Sequence, residues 1–468
     1  MLFNSLDFAV FLPLVFILYW SLKNSRKAQN VIILLASYTF YAFWDWRFLG
    51  LLIFSTLVDF YIGKALHSST KPSKRKRFLL LSIAVNIGLL AFFKYHNFFV
   101  QSFVDAFSFF GVPIQGRFLN IILPLGISFY TFQTLSYTID IYKNKLEPTK
   151  DLIAFAAFVS FFPQLVAGPI ERAANLLPQF TSSRKIESSN AIIGINQIIW
   201  GLFKKLVIAD NCAQYANDIF ANYTQYSSLT LVLGALYFPF QNYADFSGYS
   251  DIAIGTARLF GFRLIINFRY PYFAQNISEF WKKWHISLST WFRDYIYFPL
   301  GGSQGNRVSI IRNVVIVFAL SGLWHGANWT FVVWGLYNGL LLIVYHILKL
   351  KLKQYKASKV LWMNSLLTFS LITFGWIFFR SETLNDSFNY IYQITNLNLE
   401  IDKLGIERYS FEILPILVIF LLVELINQKK EFPLQHGKNL LIQTIAVVGF
   451  ILMFGSFSEM REFIYFQF

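Results

Sequence analysis

Runs of roughly 18 or more apolar residues recur from one end of this chain to the other, each long enough to cross a bilayer core as a helix. No other feature narrows the fold so far. In hydrocarbon every backbone N–H and C=O must be satisfied within the protein, so only helices and closed barrels span. A spanning barrel would show alternating segments of about ten residues, and the sequence has no such pattern. Composition agrees with helices: 56% of the 468 residues are hydrophobic and 14% charged, against about a quarter charged in soluble domains. The expectation is an all-α polytopic membrane protein with about eleven transmembrane or re-entrant helices, forming one integral-membrane domain over residues 1–468. No soluble domain and no fixed-period repeat is visible.

The net charge of +15 raises the question of nucleic acid, but the charges sit in short loops beside the apolar runs. KPSKRKR at 71–77, KNK at 143–145, KLKLKQYKASK at 349–359 and QKK at 428–430 mark the cytoplasmic side. They set topology rather than a nucleic-acid surface. The single cysteine, Cys212, permits no internal disulfide and no metal-ligand cluster. The first apolar segment lacks a basic leader and a small-residue cleavage site, so it reads as a retained span.

Taken in order, spans are expected at 7–22, up to about 44, back near 66, and at 78–93, with the N-terminus outside. FYAFWDW at 40–46 belongs to the headgroup level. HNFFVQSFVDAFSFFG at 96–111 reads as an amphipathic interfacial helix. The span at 121–142 carries Ser128, Thr131, Gln133, Ser136 and Thr138, which face either other helices or a cavity. The span at 152–167 is interrupted by Pro163, Gly168 and Pro169, which membrane depth tolerates only inside protein or beside a cavity. A further span at 192–208 contains Lys204 and Lys205. ALYFPFQNYADFSGYSDIAIG at 235–255 holds Asp245 and Asp251, with Pro239 and Gly248 as breakers. Intramembrane carboxylates are functional candidates, the alternative being structural pairing with Arg258 or Arg263. The region 258–307 is too polar to span and lies along or dips into the membrane. Closing spans are expected near 361–379, 413–426 and 440–454.

The chemistry concentrates between residues 280 and 334. FWKKWHISLSTWFRDYIYFPLGG and SGLWHGANWTFVVWG hold two of the six histidines, each directly after a tryptophan. As one helix, the first motif puts Trp281, Trp284, Leu288, Trp291 and Tyr295 on an apolar face, with His285 at its edge. Lys282, Lys283 and Arg293 are possible contacts for a charged donor, although Arg293 and Asp294 most simply form an internal ion pair. Gly301, Gly302 and Gly305 fit a plain turn better than a phosphate cradle, since Walker and Rossmann spacings are missing. In the second motif His325 is flanked by apolar spans and by Gly322 and Gly326, which allow close approach. Asn328, three residues on, is placed to orient its ring. Low dielectric keeps such an imidazole neutral and ready to accept a proton, as general-base activation of a hydroxyl requires.

Several motifs occur together in one order: MLFNSLDFAVFLPLVFILYW, ASYTFYAFW, LPLGISFYTFQTLSYTIDIY, FFPQLVAGPIER, QNYADFSGYSDIAIG, WKKWHISLSTWFRDYIYFPLGG and LWHGANW. With these the chain resembles the bacterial membrane-bound O-acyltransferases over almost its whole length, in the branch that O-acetylates alginate and peptidoglycan. The branch of D-alanyl transfer to teichoic acid is related. The resemblance implies helices around a central tunnel in the bacterial cytoplasmic membrane, joining a cytoplasmic thioester donor such as acetyl-CoA to an extracytoplasmic polysaccharide acceptor. No bound cofactor or metal is implied. It implies a separate SGNH-type extracytoplasmic partner that completes the transfer. The family's WHG histidine falls on His325, the catalytic base, and its WHxS histidine on His285, assigned to orientation or substrate contact. Many eukaryotic relatives carry Asn or Asp at the upstream place. Trp324, Asn328, Asp245, Lys282 and Arg293 complete the substrate-contact candidates. The alternatives are D-alanyl transfer from a carrier protein and, in a different class, a transporter with a polar-lined cavity.

Overall fold

The computed structural model describes residues 1–166, 168–351, 361–405, 408–457 and 463–464, so most of the basic stretch at 349–359 lies outside the described residues. The described chain is helical, with no β-strand apart from one isolated bridge between Lys403 and Tyr409. Six helical runs among the described residues are long and apolar enough to cross a membrane: Arg26–Ser68, Pro72–Phe109, Ser188–Ala221, Arg307–His325, Trp329–Leu348 and Trp362–Arg380. Four shorter apolar helices join them. The chain divides into two compact units, Met1–Gly194 with Thr256–Ile265, and Ile195–Gly255 with Ile266–Phe468.

The first unit contains α1 (Leu6–Ser21), α2 (Arg26–Asp45), α3 (Leu49–Ser68), α4 (Pro72–Leu90), α5 (His96–Phe109), α6 (Ile127–Tyr142), α7 (Leu152–Ser160), α8 (Phe162–Leu165), α9 (Ala173–Thr181) and the start of α10 (Ser188–Phe203). The polar residues of α6 pack against helices. Ser128, Thr131, Gln133, Ser136 and Thr138 are all buried. Gln133 donates to the Phe158 carbonyl at 2.8 Å and Thr138 meets Ser82 at 3.0 Å. Ser82 in turn donates to Asp59 at 2.6 Å, so hydroxyls and amides satisfy a carboxyl group inside the bundle. The break in the 152–167 span falls at Phe161, and the N–H of Phe162 donates to Ser37 Oγ at 3.0 Å. A freed backbone group thus finds a partner in protein, as membrane depth demands. The basic run at 71–77 forms the first turns of α4. Arg75 reaches the Leu66 and Tyr142 carbonyls at 2.9 and 2.8 Å, a cation closing the C-termini of α3 and α6.

The second unit holds the rest of α10, α11 (Asp210–Ala221), most of α12 (Ser228–Leu259), α13 (Ile277–Lys283), α14 (Ile286–Phe292), α15 (Arg307–His325), α16 (Trp329–Lys351), α17 (Leu361–Arg380), α18 (Leu384–Ile394), α19 (Leu414–Ile426) and α20 (Leu440–Phe454). Two sequence expectations are corrected in α12. The helix runs unbroken for 32 residues through Pro239 and Gly248. Gly248 is a contact rather than a breaker: a Cβ there would stand 2.8 Å from the Gly201 carbonyl of α10, and one on Gly201 would stand 2.6 Å from the Gly248 carbonyl. Backbone thus packs on backbone. The carboxylates of α12 also choose different partners. Asp251 pairs with Lys204 at 2.6 Å, and Asp245 with Lys205 at 2.9 Å, not with the arginines downstream. Lys204 and Lys205 begin a π-helical turn, Lys204–Ala209. Its i→i+5 register brings Asp210 to 2.9 Å from Lys205.

A third correction concerns the WKKWH motif. It is not one helix. α13 ends at Lys283, and His285 takes φ 41° and ψ 57° before α14 begins. A left-handed non-glycine residue costs of order 1–3 kcal/mol and persists only where its surroundings hold it. Here the clamp is Asn267: its carbonyl accepts the Ile286 N–H at 2.9 Å, and its Oδ1 accepts the Ser287 hydroxyl at 2.6 Å. The Lys283 carbonyl accepts the Arg269 N–H at 3.0 Å on the other side. The turn points the imidazole inward, where it is 1% exposed.

Burial lowers the His285 pKa from 6.5 to about 3. The unfolded chain therefore binds a proton that the folded chain excludes as pH falls below the ordinary histidine range. Stability should drop by up to ~1.4 kcal/mol per pH unit across that window. Thermal unfolding of the detergent-solubilised protein between about pH 7 and about pH 5 should show this fall, and His285→Gln should flatten it. An unchanged slope in the variant would refute the burial of a neutral ring. A second outcome follows from α15 and α16, where a Cβ on Gly322 would stand 2.2 Å from the Phe331 carbonyl. Gly322→Ala should destabilise by about 1–3 kcal/mol, read as a lower unfolding temperature.

Candidate active site

α15 ends at His325 because Gly326 is extended, at φ −162°, and the chain re-enters a helix only at Trp329. The close Gly322 approach holds the end of α15 against α16, and a Cβ on Gly335 would stand 2.2 Å from the Phe318 carbonyl of α15. This packing fixes where the last residue of α15 points. His325 is 3% exposed. Its ring centroid lies 5.0 Å from Trp324, 5.0 Å from Trp334 and 5.3 Å from Phe379, each edge-on. Trp334 stacks on Trp376 at 5.4 Å, giving the imidazole an apolar aromatic wall.

His285 reaches the same wall from the left-handed turn. Its ring stands 4.5 Å from Phe246 of α12 and 5.8 Å from Trp324. Both imidazoles therefore pack against one indole, although they are 40 residues apart in sequence. Close aromatic contacts of this kind, tilted for His285 and edge-on for His325, exclude water and hold ring orientation. In such a site one buried imidazole can accept a proton and return it while the second positions a substrate. Among the described residues, no group of three or more His, Cys, Asp and Glu side chains is placed to hold a metal ion.

The structure thus brings together His285, Trp324 and His325. It places the other sequence candidates elsewhere. Asn328 does not share a helix with His325. Its Nδ2 donates to the Glu382 carbonyl at 2.7 Å and its Oδ1 accepts the Thr330 N–H at 3.1 Å, so it heads α16 instead of orienting the ring. Asp245 is 3% exposed, paired with Lys205, and accepts the Ile464 N–H at 2.7 Å. Lys282 is exposed on α13. Arg293 is 54% exposed in side chain and forms the expected ion pair with Asp294 at 2.8 Å. The residue most missed by sequence reading is Asn267, which clamps the His285 turn. A lone amide inside the apolar run RLIINFRY was the available signal. Phe246, Trp334, Trp376 and Phe379 were missed because nothing in their local sequence sets them apart from other apolar positions.

The chain matches the description of the membrane-bound O-acyltransferase family over residues 143–382. It is 41% identical over 389 residues to the probable alginate O-acetylase AlgI of Pseudomonas syringae pv. tomato, covering 82% of this chain and 73% of that one. It is 35% identical over 430 residues to a peptidoglycan O-acetyltransferase of Helicobacter pylori, covering 85% and 80%. It is 28% identical over 281 residues to a teichoic acid D-alanyltransferase of Bacillus subtilis, covering 56% and 70%. Both histidines lie inside the matched region, and the helical architecture agrees with an integral membrane enzyme. The chain belongs to the membrane-bound O-acyltransferase family.

Proposed function

We propose that the protein moves an acetyl group from a cytoplasmic thioester donor, acetyl-CoA or a similar carrier, across the bacterial cytoplasmic membrane for O-acetylation of a cell-surface polysaccharide. The observation that carries this reading is the meeting of His285 and His325 on Trp324 in a chain 41% identical to a probable alginate O-acetylase. In the proposed step His325 takes the proton of an attacking hydroxyl as its oxygen bonds to the acyl carbonyl carbon. The carbon–sulfur bond then breaks, and the imidazolium returns the proton to the departing thiolate. Atoms and protons balance with no further reagent. His285, held neutral by burial and fixed by its backbone, orients or contacts a substrate. A separate SGNH-type partner outside the membrane receives the acyl group and completes transfer to the polymer, which is an alginate-like exopolysaccharide or peptidoglycan. The D-alanyl reading predicts an absolute requirement for an acyl-carrier protein in reconstituted transfer, and acetyl-CoA turnover without one excludes it.

His325→Ala should lower transfer by roughly 10²–10⁴-fold while the protein still inserts and accumulates, the range for a lost general base. Mass analysis of envelope polysaccharides from cells with the gene, without it and with the variant reads this out. Full acetylation by the variant refutes the base assignment. His285→Ala should lose less, raising KM more than it lowers kcat, because a positioning ring does not carry the proton. Equal collapse of kcat in both variants would show that the histidines act as one unit.

A further inference from the structure

One cleft of the second unit is lined by none of His285, Trp324 and His325. It is lined by α10, α12, the 266–270 segment and residues at and beyond the end of α19. Its polar atoms are unusual for a protein interior. Glu424 is 1% exposed and accepts the Tyr243 hydroxyl at 2.7 Å through Oε1, while its Oε2 has no hydrogen-bond partner. Ser250 Oγ, Tyr270 Oη and Asn267 Nδ2, on residues 2%, 6% and 1% exposed, are likewise without partners. The four residues that carry these atoms all line this cleft. A buried unsatisfied polar atom costs ~1–3 kcal/mol, and three of these, Glu424 Oε2, Ser250 Oγ and Tyr270 Oη, can accept, which points to an occupant that donates hydrogen bonds. Tyr270 is held there by a left-handed backbone, at φ 49°.

The lining also states what the occupant is. Among the lining residues stand three carboxylates, Asp251, Glu424 and Glu431, against one ammonium, Lys204. Lys204 is already engaged with Asp251 at 2.6 Å and Ser247 at 2.9 Å, so it is committed to scaffold. The balance is negative, which disfavours a phosphate-bearing ligand and favours a cation. The walls are the rings of Trp200, Tyr243, Phe268 and Tyr270. Aromatic faces beside a carboxylate recognise organic ammonium groups, whereas a bare metal ion would want a shell of oxygen ligands. We propose that this cleft binds an organic ammonium group, with Glu424 as its counter-ion and the Ser250 and Tyr270 hydroxyls as acceptors. The group comes from an amino-bearing lipid headgroup or a free amine. The inference is independent of the acyl-transfer reading.

Isothermal titration of the purified full chain with ethanolamine hydrochloride tests it, with sodium chloride as the ionic control. Saturable binding is expected. It should weaken at least ~10-fold in Glu424→Gln and by roughly threefold in each of Ser250→Ala and Tyr270→Phe. Native mass spectrometry from nanodiscs of phosphatidylglycerol with and without phosphatidylethanolamine separates the sources. Retained phosphatidylethanolamine that free ethanolamine displaces assigns a lipid headgroup, and ethanolamine binding without lipid retention assigns a free amine. Absence of saturable binding, as when Glu424 simply holds a proton, overturns the proposal. So does equal affinity in Glu424→Gln. Should that variant not fold, the two hydroxyl variants decide, and unchanged affinity in both also overturns it.

Discussion

The second unit depends on one constraint: a charge carried into an apolar interior must meet its opposite there. Lys204 and Lys205 are consecutive residues with 3% and 1% exposure, and in a regular α-helix their side chains diverge by about 100°. The π-helical turn that starts at Lys204 accommodates both, sending one ammonium to Asp251 and the other to Asp245 and Asp210. The pairing ties α10 to α12 where Gly201 and Gly248 let the two backbones approach. Phe246, one residue beyond Asp245, then lies against His285. Removal of one partner would leave an uncompensated buried charge, typically a loss of ~3–5 kcal/mol. The ion pairs therefore fix the helix that supports the candidate active site without belonging to it.

The imidazoles obey the complementary rule. Each sits among aromatic rings, and for His285 burial lowers the pKa from 6.5 to about 3. What burial cannot supply is orientation, and two backbone devices supply it. The extended Gly326 ends α15 directly after His325, and the left-handed turn clamped by Asn267 aims His285. Placement in both cases comes from a helix end, where a side chain departs from the helical direction and can reach a neighbour.

Much of this was legible from residue order. The apolar runs located the helices because length and hydropathy alone decide whether a segment spans. The hydroxyl-rich face of α6 and the Arg293–Asp294 pair also read correctly, each being a local surplus of polar chemistry. Continuity did not read correctly. Pro239 and Gly248 look like breakers, yet α12 passes both, since the tight contact with α10 needs a residue without a Cβ. Conversely WKKWHISLSTWF has unbroken helical periodicity and breaks at His285, because hydrogen bonds to Asn267, 18 residues earlier, outweigh local preference. Periodicity reports which face is apolar. It does not report which backbone groups find partners elsewhere in the chain.

Satisfaction of polar atoms is thus the sharper test of a residue's role in so apolar a chain. Asp245, Asn328 and Arg293 drew notice as polar groups in or beside the membrane, and each has side-chain bonds that account for its position. Such groups hold helices in place. Glu424, Ser250, Tyr270 and Asn267 drew no notice in sequence, and each carries an unmet hydrogen-bonding atom and lines one cleft. Burying four such atoms opposes folding unless something else meets them. Asn267 belongs to both sets: its carbonyl oxygens hold the His285 turn, its Nδ2 has no hydrogen-bond partner, and the residue lines the cleft. One residue therefore both lines the cleft and clamps the turn that aims an imidazole.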